Sequence, residues 1–163
     1  HENGIISSAG RLDKQGRQVG KWQFFHNNGK LSALETYDSS GQLRNKTYYD
    51  ENGVQQADTT DKSHPAAFKN GVNDWSRYMT KSTYWPNGYR LANTKAVTIG
   101  VSFTVNEEGD VTDILLYAPF NPVFDDIVRR AFTTSPKWIP AIMHNRKVSF
   151  RHQQTVTFHE REY

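Results

Sequence analysis

The stretch "SPKWIPAIMHNRKVSF", residues 135–150, sets Trp138 between two prolines, Pro136 and Pro140. A helix-like pattern runs into it and a strand-like pattern runs out. Proline restrains its own φ and turns the preceding residue away from helix, so the backbone of Trp138 is held from both sides. A restrained indole loses little entropy when it packs. The corner is therefore expected to form a lid on a small core and to anchor the last strand of an α+β domain.

The flanking patterns carry the same expectation. Upstream, "NPVFDDIVRRAF" (121–132) repeats apolar residues at Phe124, Ile127, Val128, Ala131 and Phe132, one helical face. Asn121 suits the N-cap and Pro122 the first turn. Asp125 and Asp126 precede Arg129 and Arg130 in the order the helix dipole favours. Downstream, "KVSFRHQQTVTF" (147–158) alternates, with Val148, Phe150, Val156 and Phe158 on one face. His152 and Gln154 fall on that face too and predict a bulge, a twist from the core or an exposed edge. Earlier in the chain, "KAVTIGVSFTV" (95–105) alternates through five apolar residues. "NEEGD" (106–110) is a turn and "VTDILLY" (111–117) its return strand. "FKNGVNDWSRYM" (68–79) reads as a short amphipathic helix. Residues 68–163 are thus expected to run helix, strand, strand, helix, strand.

The first third is periodic. Glycines fall at 4, 16, 29, 41 and 53, in steps of 12, 13, 12 and 12, and Phe25, Tyr37 and Tyr49 each stand four residues before one. A step of this length is one strand plus one turn, and Asn-Gly is a hairpin signal in which both central residues take positive φ. Two steps make a repeat of about 24 residues. "GKWQFFHNNGKL" (20–31), "TYDSSGQL" (36–43) and "YYDENGV" (48–54) resemble the bacterial MORN-type repeat, so residues 1–57 are expected to form MORN-like β-hairpin repeats. Within "QQADTTDKSHPAA" (55–67), residues 58–67 are expected as a linker, and residues 68–163 as the second domain.

Composition narrows the chemistry. The chain has 163 residues, no cysteine and a net charge of +3, which removes disulfides, zinc-thiolate sites and cysteine nucleophiles. No run reaches the roughly 18 apolar residues of a membrane span. Arg129, Arg130, Lys137, Arg146, Lys147 and Arg151 lie in an interval without acidic residues, from 127 to 159. They are too few for a nucleic-acid track but enough to attract an acidic protein segment. His1, His26, His64, His144, His152 and His159 lack metal-ligand spacing. Asp125-Asp126 and Glu107-Glu108 are sequence neighbours that point apart. No nucleophile elbow or phosphate loop occurs. The expectation is a protein that is not an enzyme, with no catalytic residues, no metal and no cofactor.

The second part also resembles the C-terminal domain of TonB-type energy transducers. The landmarks are "FKNG" (68–71), "YWP" (84–86), "VSFTVNEEGDVTDI" (101–114), the helix ending "VRRAF", "SPKWIPA" (135–141) and "VTF" (156–158). The chain departs from the family at Tyr84-Trp85-Pro86, where Tyr-Pro is usual, and at Lys95-Ala96, where a glycine is usual. The resemblance implies an α-β-β-α-β domain behind the β-ribbon, from Bacteroidetes-like bacteria. It also implies a place in the periplasm or cell envelope, with any N-terminal signal or anchor removed, and membrane contact only through such an anchor. Its partner would be an extended peptide of an outer-membrane transporter, captured by strand addition at the edge of 147–158. Tyr84, Trp85 and Trp138 would make apolar contacts, Lys147 and Arg151 would draw acidic residues, and Ser149 and Gln153 would lie on the same strand. Two alternatives stand beside this reading. The edge pairs with a second copy to form a homodimer, or Trp22, Phe25, Tyr37 and Tyr49 of the ribbon bind glycan.

Overall fold

A computed structural model describes residues 1–160 of the chain. The first strands are β1 (Ser8–Leu12), β2 (Gln18–Phe25), β3 (Leu31–Tyr37), β4 (Leu43–Tyr49) and β5 (Gln55–Gln56). Then come β6 (Ala67–Phe68), helix α1 (Val72–Ser82), β7 (Ala96–Val105), β8 (Val111–Ala118) and helix α2 (Pro122–Thr133). The chain closes with β9 (Trp138–Ile139), β10 (Ala141–Met143), β11 (Arg146–Val148) and β12 (Phe150–His159). Among the described residues no helix is long and apolar enough to cross a membrane.

The protein is β-rich, 42% strand and 14% helix, with two helices among the described residues. The expected α+β class, with a TonB-like α-β-β-α-β domain after the ribbon, is corrected accordingly. The strands divide among four sheets, β1-β2-β3-β4-β5, β10-β11, β12-β7-β8 and β6-β9. The chain does not pass from α2 into one final strand. Three short strands intervene, because Pro136 and Pro140 interrupt any continuous ladder and two residues at positive φ, His144 and Asn145, turn the chain back on itself.

The chain forms two compact units. The first is His1–Pro65 together with Ala141–Val148, and the second is Ala66–Pro140 together with the described residues from Ser149 on. The first unit thus includes residues 141–148, from the span expected as the second domain, and residues 58–65, from the span expected as a linker.

In the first unit, β1 to β5 form an antiparallel meander. Its turns explain the glycine beat. At 13–17 the Gly16 amide donates to Asp13 O and the Asp13 amide to Arg17 O, while Asp13 Oδ1 accepts the amides of Gln15 and Arg17. Asp38 and Asp50 organise 38–42 and 50–54 in the same way. This is a three-residue loop whose last residue is left-handed glycine. Only the glycines need positive φ: Gly16, Gly29, Gly41 and Gly53 have it, whereas Asn28 and Asn52 do not. The expected two-residue Asn-Gly turn is corrected to this form.

Side chains make the repeat physical, here at a step of 25 residues from His1 to His26. His1 Nε2 bonds Phe25 O and Asn3 Nδ2 donates to Asn27 O. One repeat later His26 Nε2 bonds Tyr49 O at 3.0 Å and Asn28 Nδ2 donates to Glu51 O at 2.8 Å. The turns that begin at His1 and His26 are thus each stapled, by the same His-x-Asn pair, to the turn one repeat further on. The apolar core of this sheet is small, Phe24, Ala33 and Tyr48 with Trp22 against them.

The hairpin β10-β11 completes the first unit. His144 and Asn145 form its two-residue loop, both at positive φ (51° and 60°). Non-glycine residues there cost on the order of 1–3 kcal/mol each unless the surroundings hold them. Here they are held. The His144 ring stacks on Phe24 with centroids 3.7 Å apart, and its Nδ1 lies 2.9 Å from Glu35 Oε1. Asn145 Nδ2 donates to Ser32 O, Tyr49 O and Gln56 Oε1. Tyr37 also donates its hydroxyl to Glu35. Burial pushes the Glu35 carboxyl up, but the hydrogen bonds from His144 and Tyr37 outweigh it and hold it below its ordinary value.

The second unit is built on rings. Phe103, Phe124 and Phe132 are fully buried with Ile99, Val101, Val105 and Val128. Trp75 of α1 is the hub, with centroids 4.9 Å from Trp138, 5.1 Å from Phe68 and 5.5 Å from Phe132. Trp138 is 8% exposed, pairs with Phe68 in the β6-β9 ladder, and donates its amide to Gly109 O. A side chain at Gly109 would strike the Trp138 carbonyl, so the turn 106–110 and the corner fit only because that residue is glycine. The polar residues on the inner face of β12 cause no bulge, since β12 pairs with β7 in unbroken register from Phe150↔Val105 to His159↔Ala96. Gln154 accepts the Trp75 Nε1 hydrogen at 3.0 Å. His152 lies among Phe103, Trp138 and Phe150.

Candidate functional site

β12 is an edge strand. In its sheet it pairs with β7 alone among the described strands. Which of its backbone groups face outward follows from one bond. Glu160 stands opposite Lys95 in the register and donates its amide to Lys95 O at 2.8 Å. In an antiparallel ladder, directly hydrogen-bonded pairs alternate with non-bonded ones. The even-numbered residues of β12 therefore bond β7, and the amides and carbonyls of Arg151, Gln153, Thr155, Thr157 and His159 point away from it. The 3.0 Å contact between the Thr98 and Thr157 hydroxyls, in the closer, non-bonded type of pair, agrees with this phase.

A groove of about 410 Å³ runs beside residues 154–159. Its far wall comes from Ser76, Met79, Thr80 and Thr83 of α1 and the residue after it, followed by Tyr84 and Trp85. The threonine hydroxyls are satisfied within their own turn, Thr80 donating to Ser76 O and Thr83 to Met79 O. Trp85 is fixed by donation from Nε1 to Tyr89 O at 2.8 Å and by its edge-on contact with Phe124. Tyr84 is 55% exposed. Among the described residues the groove lining contains no Asp, Glu, Lys or Arg.

The seven residues expected at the site separate. Tyr84 and Trp85 line the groove, and Arg151 and Gln153 lie on the edge strand with outward backbones. Trp138 is in the ring core rather than on the groove. Lys147 is in β11 of the first unit, 3.8 Å from Glu51, because the expected strand 147–158 is two strands. Ser149 is the junction between them. Arg151 is turned to the solvent face of the sheet, where it donates to Ser102 Oγ at 2.8 Å and Thr104 Oγ1 at 3.4 Å. Sequence reasoning missed the α1 wall. Its signal was present in Thr80 and Thr83, small β-branched residues on the flank of an amphipathic helix, but nothing in the spacing says which strand that flank meets.

The ribbon aromatics are committed to the fold in part. Trp22, Phe25, Tyr37 and Tyr49 are half-buried, Trp22 donates Nε1 to Arg11 O, and Tyr37 bonds Glu35. Among the described residues no group of three or more His, Cys, Asp or Glu side chains is placed to hold a metal ion. No protein-family model, no curated protein and no solved structure matches this chain.

Proposed function

We propose that the protein is a non-enzymatic binding module of the bacterial envelope that captures an extended peptide by strand addition on the outer edge of β12. The observation that carries this reading is the edge itself. Ten residues pair with β7 without a bulge, their outward amides are set by the ladder phase, and a groove runs alongside. A long regular edge is a template for pairing. The opposite edge of the sheet is different. β8 carries two register shifts and a positive φ at Asp113, devices that break a template. The sequence landmarks shared with TonB-type domains favour a segment of an outer-membrane transporter as the occupant.

The test uses the full chain as bait on envelope extract, beside Thr155→Pro and Thr157→Pro. Proline at these positions removes an outward amide and leaves the β7 ladder intact. The expected result is retention of an outer-membrane transporter by the wild type and loss by both variants. Equal retention by the variants rules out the edge. A mass that doubles with concentration, and falls back in the proline variants, assigns the edge to a second copy instead.

A further inference from the structure

Among the described residues, two rings lie flat on a glycine of the neighbouring strand, and the fold uses them differently. Trp22 covers Gly10, where a Cβ would fall inside the indole. Its Nε1 is bonded to Arg11 O and it stacks towards Phe24 with centroids 6.0 Å apart. Tyr117 covers Gly100 in the same manner. The shift in register between Gly100↔Ala118 and Val101↔Leu116 makes Tyr117 the extra residue of a bulge, which aims its ring across β7. Tyr117, however, is 50% exposed, and its hydroxyl has no hydrogen-bond partner among the described residues. One face of the ring rests on backbone and the other is open.

The surroundings define what fits there. Thr155 stands directly opposite Gly100 and Gln153 opposite Ser102, both exposed, with side chains unbonded among the described residues. The bonded hydroxyls of Thr98 and Thr157 form the next row. Arg151, the cation of this face of β12, is tied to Ser102 and Thr104. Asp113, at the second bulge, takes the Thr112 hydroxyl. The open ring is thus bordered by neutral donors and acceptors on β12 and, on its own strand, by exposed Leu115 opposite Ser102.

We infer that this open face of the β12-β7-β8 sheet binds a neutral oligosaccharide, with one pyranose stacked on Tyr117. A pyranose offers an apolar C–H face to the ring and a rim of hydroxyls to Gln153, Thr155 and the tyrosine hydroxyl. A single-stranded nucleic acid also stacks on exposed rings, but it needs a track of free cations along its phosphates, and Arg151, the cation of this face of β12 among the described residues, is occupied. Gly100 is the positioning element: without a Cβ it lets the ring lie flat and rigid, so little entropy is lost on binding. The inference does not depend on the peptide edge, because the stacking surface is the face of the sheet and not its rim.

The experiment is amide chemical-shift titration of the full chain with cellohexaose, chitohexaose and mannohexaose, and with dT6 as the competing stacker. The expected result is that a hexaose shifts residues 98–102, 115–118 and 153–157. Tyr117→Ala weakens that binding about tenfold or more, Tyr117→Phe stays within about threefold, and Trp22→Phe has no effect. Should Tyr117→Ala fail to fold, Gln153→Ala carries the test, with an expected weakening of about threefold or more. Absence of binding by every hexaose at about 10 mM, binding indifferent to Tyr117 and Gln153, or equal binding of dT6 each overturns the inference.

Discussion

The two units reach stability by different means. The first has a small apolar core around Phe24, Ala33 and Tyr48 and spends its sequence on backbone: aspartate-organised turns, His-x-Asn staples between turns one repeat apart, and a hairpin tip that inserts His144 and Asn145. The second has few such staples and packs rings, with Trp75, Trp138, Phe103 and Phe132 in mutual contact. A sheet one layer thick buries little apolar area, so its stability must come from satisfied polar groups. Two helices laid on a sheet enclose a volume, and aromatic residues fill it with the fewest chain atoms.

The largest effect should separate the units most clearly. Trp138→Ala is expected to cost about 3–5 kcal/mol in a urea melt, as for other large-to-small core changes. Hydrogen exchange should quicken in β7 and β12 and stay slow in β2 and β3; equal quickening in both would show that the units unfold together. Gly109→Ala comes next, at about 2–3 kcal/mol, since it adds a clash with the Trp138 carbonyl to a backbone at φ +86°. In the first unit, Asn145→Ala is expected to cost about 1–2 kcal/mol through three lost hydrogen bonds. Asn145→Gly should recover part of this, because glycine relieves the positive φ; no recovery would place the whole cost in the side chain.

Acid should act on the units in sequence. Burial lowers the His152 pKa from its ordinary 6.5, partly offset by a hydrogen bond to the Ala66 backbone. Below pH 6.5 the unfolded chain then binds the proton more readily than the folded one, so this contribution is complete above that pH and declines below it. Glu35, held below its ordinary 4.5, contributes above pH 4.5 and is lost as the pH falls further. Melts between pH 7.5 and 5.5 should therefore weaken the second unit first, and His152→Gln should flatten that part of the profile. A first unit that weakens in the same range would contradict this order.

Local pattern was legible where period and turn chemistry agree. The beat of glycines marked the turns of the first sheet, and the alternation from Val97 to Val105 marked the central strand of the second. Trp138 read as a restrained core residue, and the structure places it in the core. The segment after it was misread because Lys147 to Phe158 alternates without a visible break. The hairpin turn at His144-Asn145 carries no glycine and shows itself only once both residues are seen at positive φ. The edge strand was legible as a strand, and Tyr84 and Trp85 as its neighbours, while the helix wall opposite was not.

The sequence by itself determined the periods, the turn sites and which residues seek a core, because these depend on neighbours a few positions apart. Tertiary structure alone decided that residues 141–148 join the first unit as a hairpin of their own, that the backbone of β12 faces outward at Thr155 and Thr157, and that Tyr117 lies open over Gly100. Each of those facts rests on groups from distant parts of the chain meeting in one ladder or one socket, and the register that brings them together is chosen by packing rather than by local propensity.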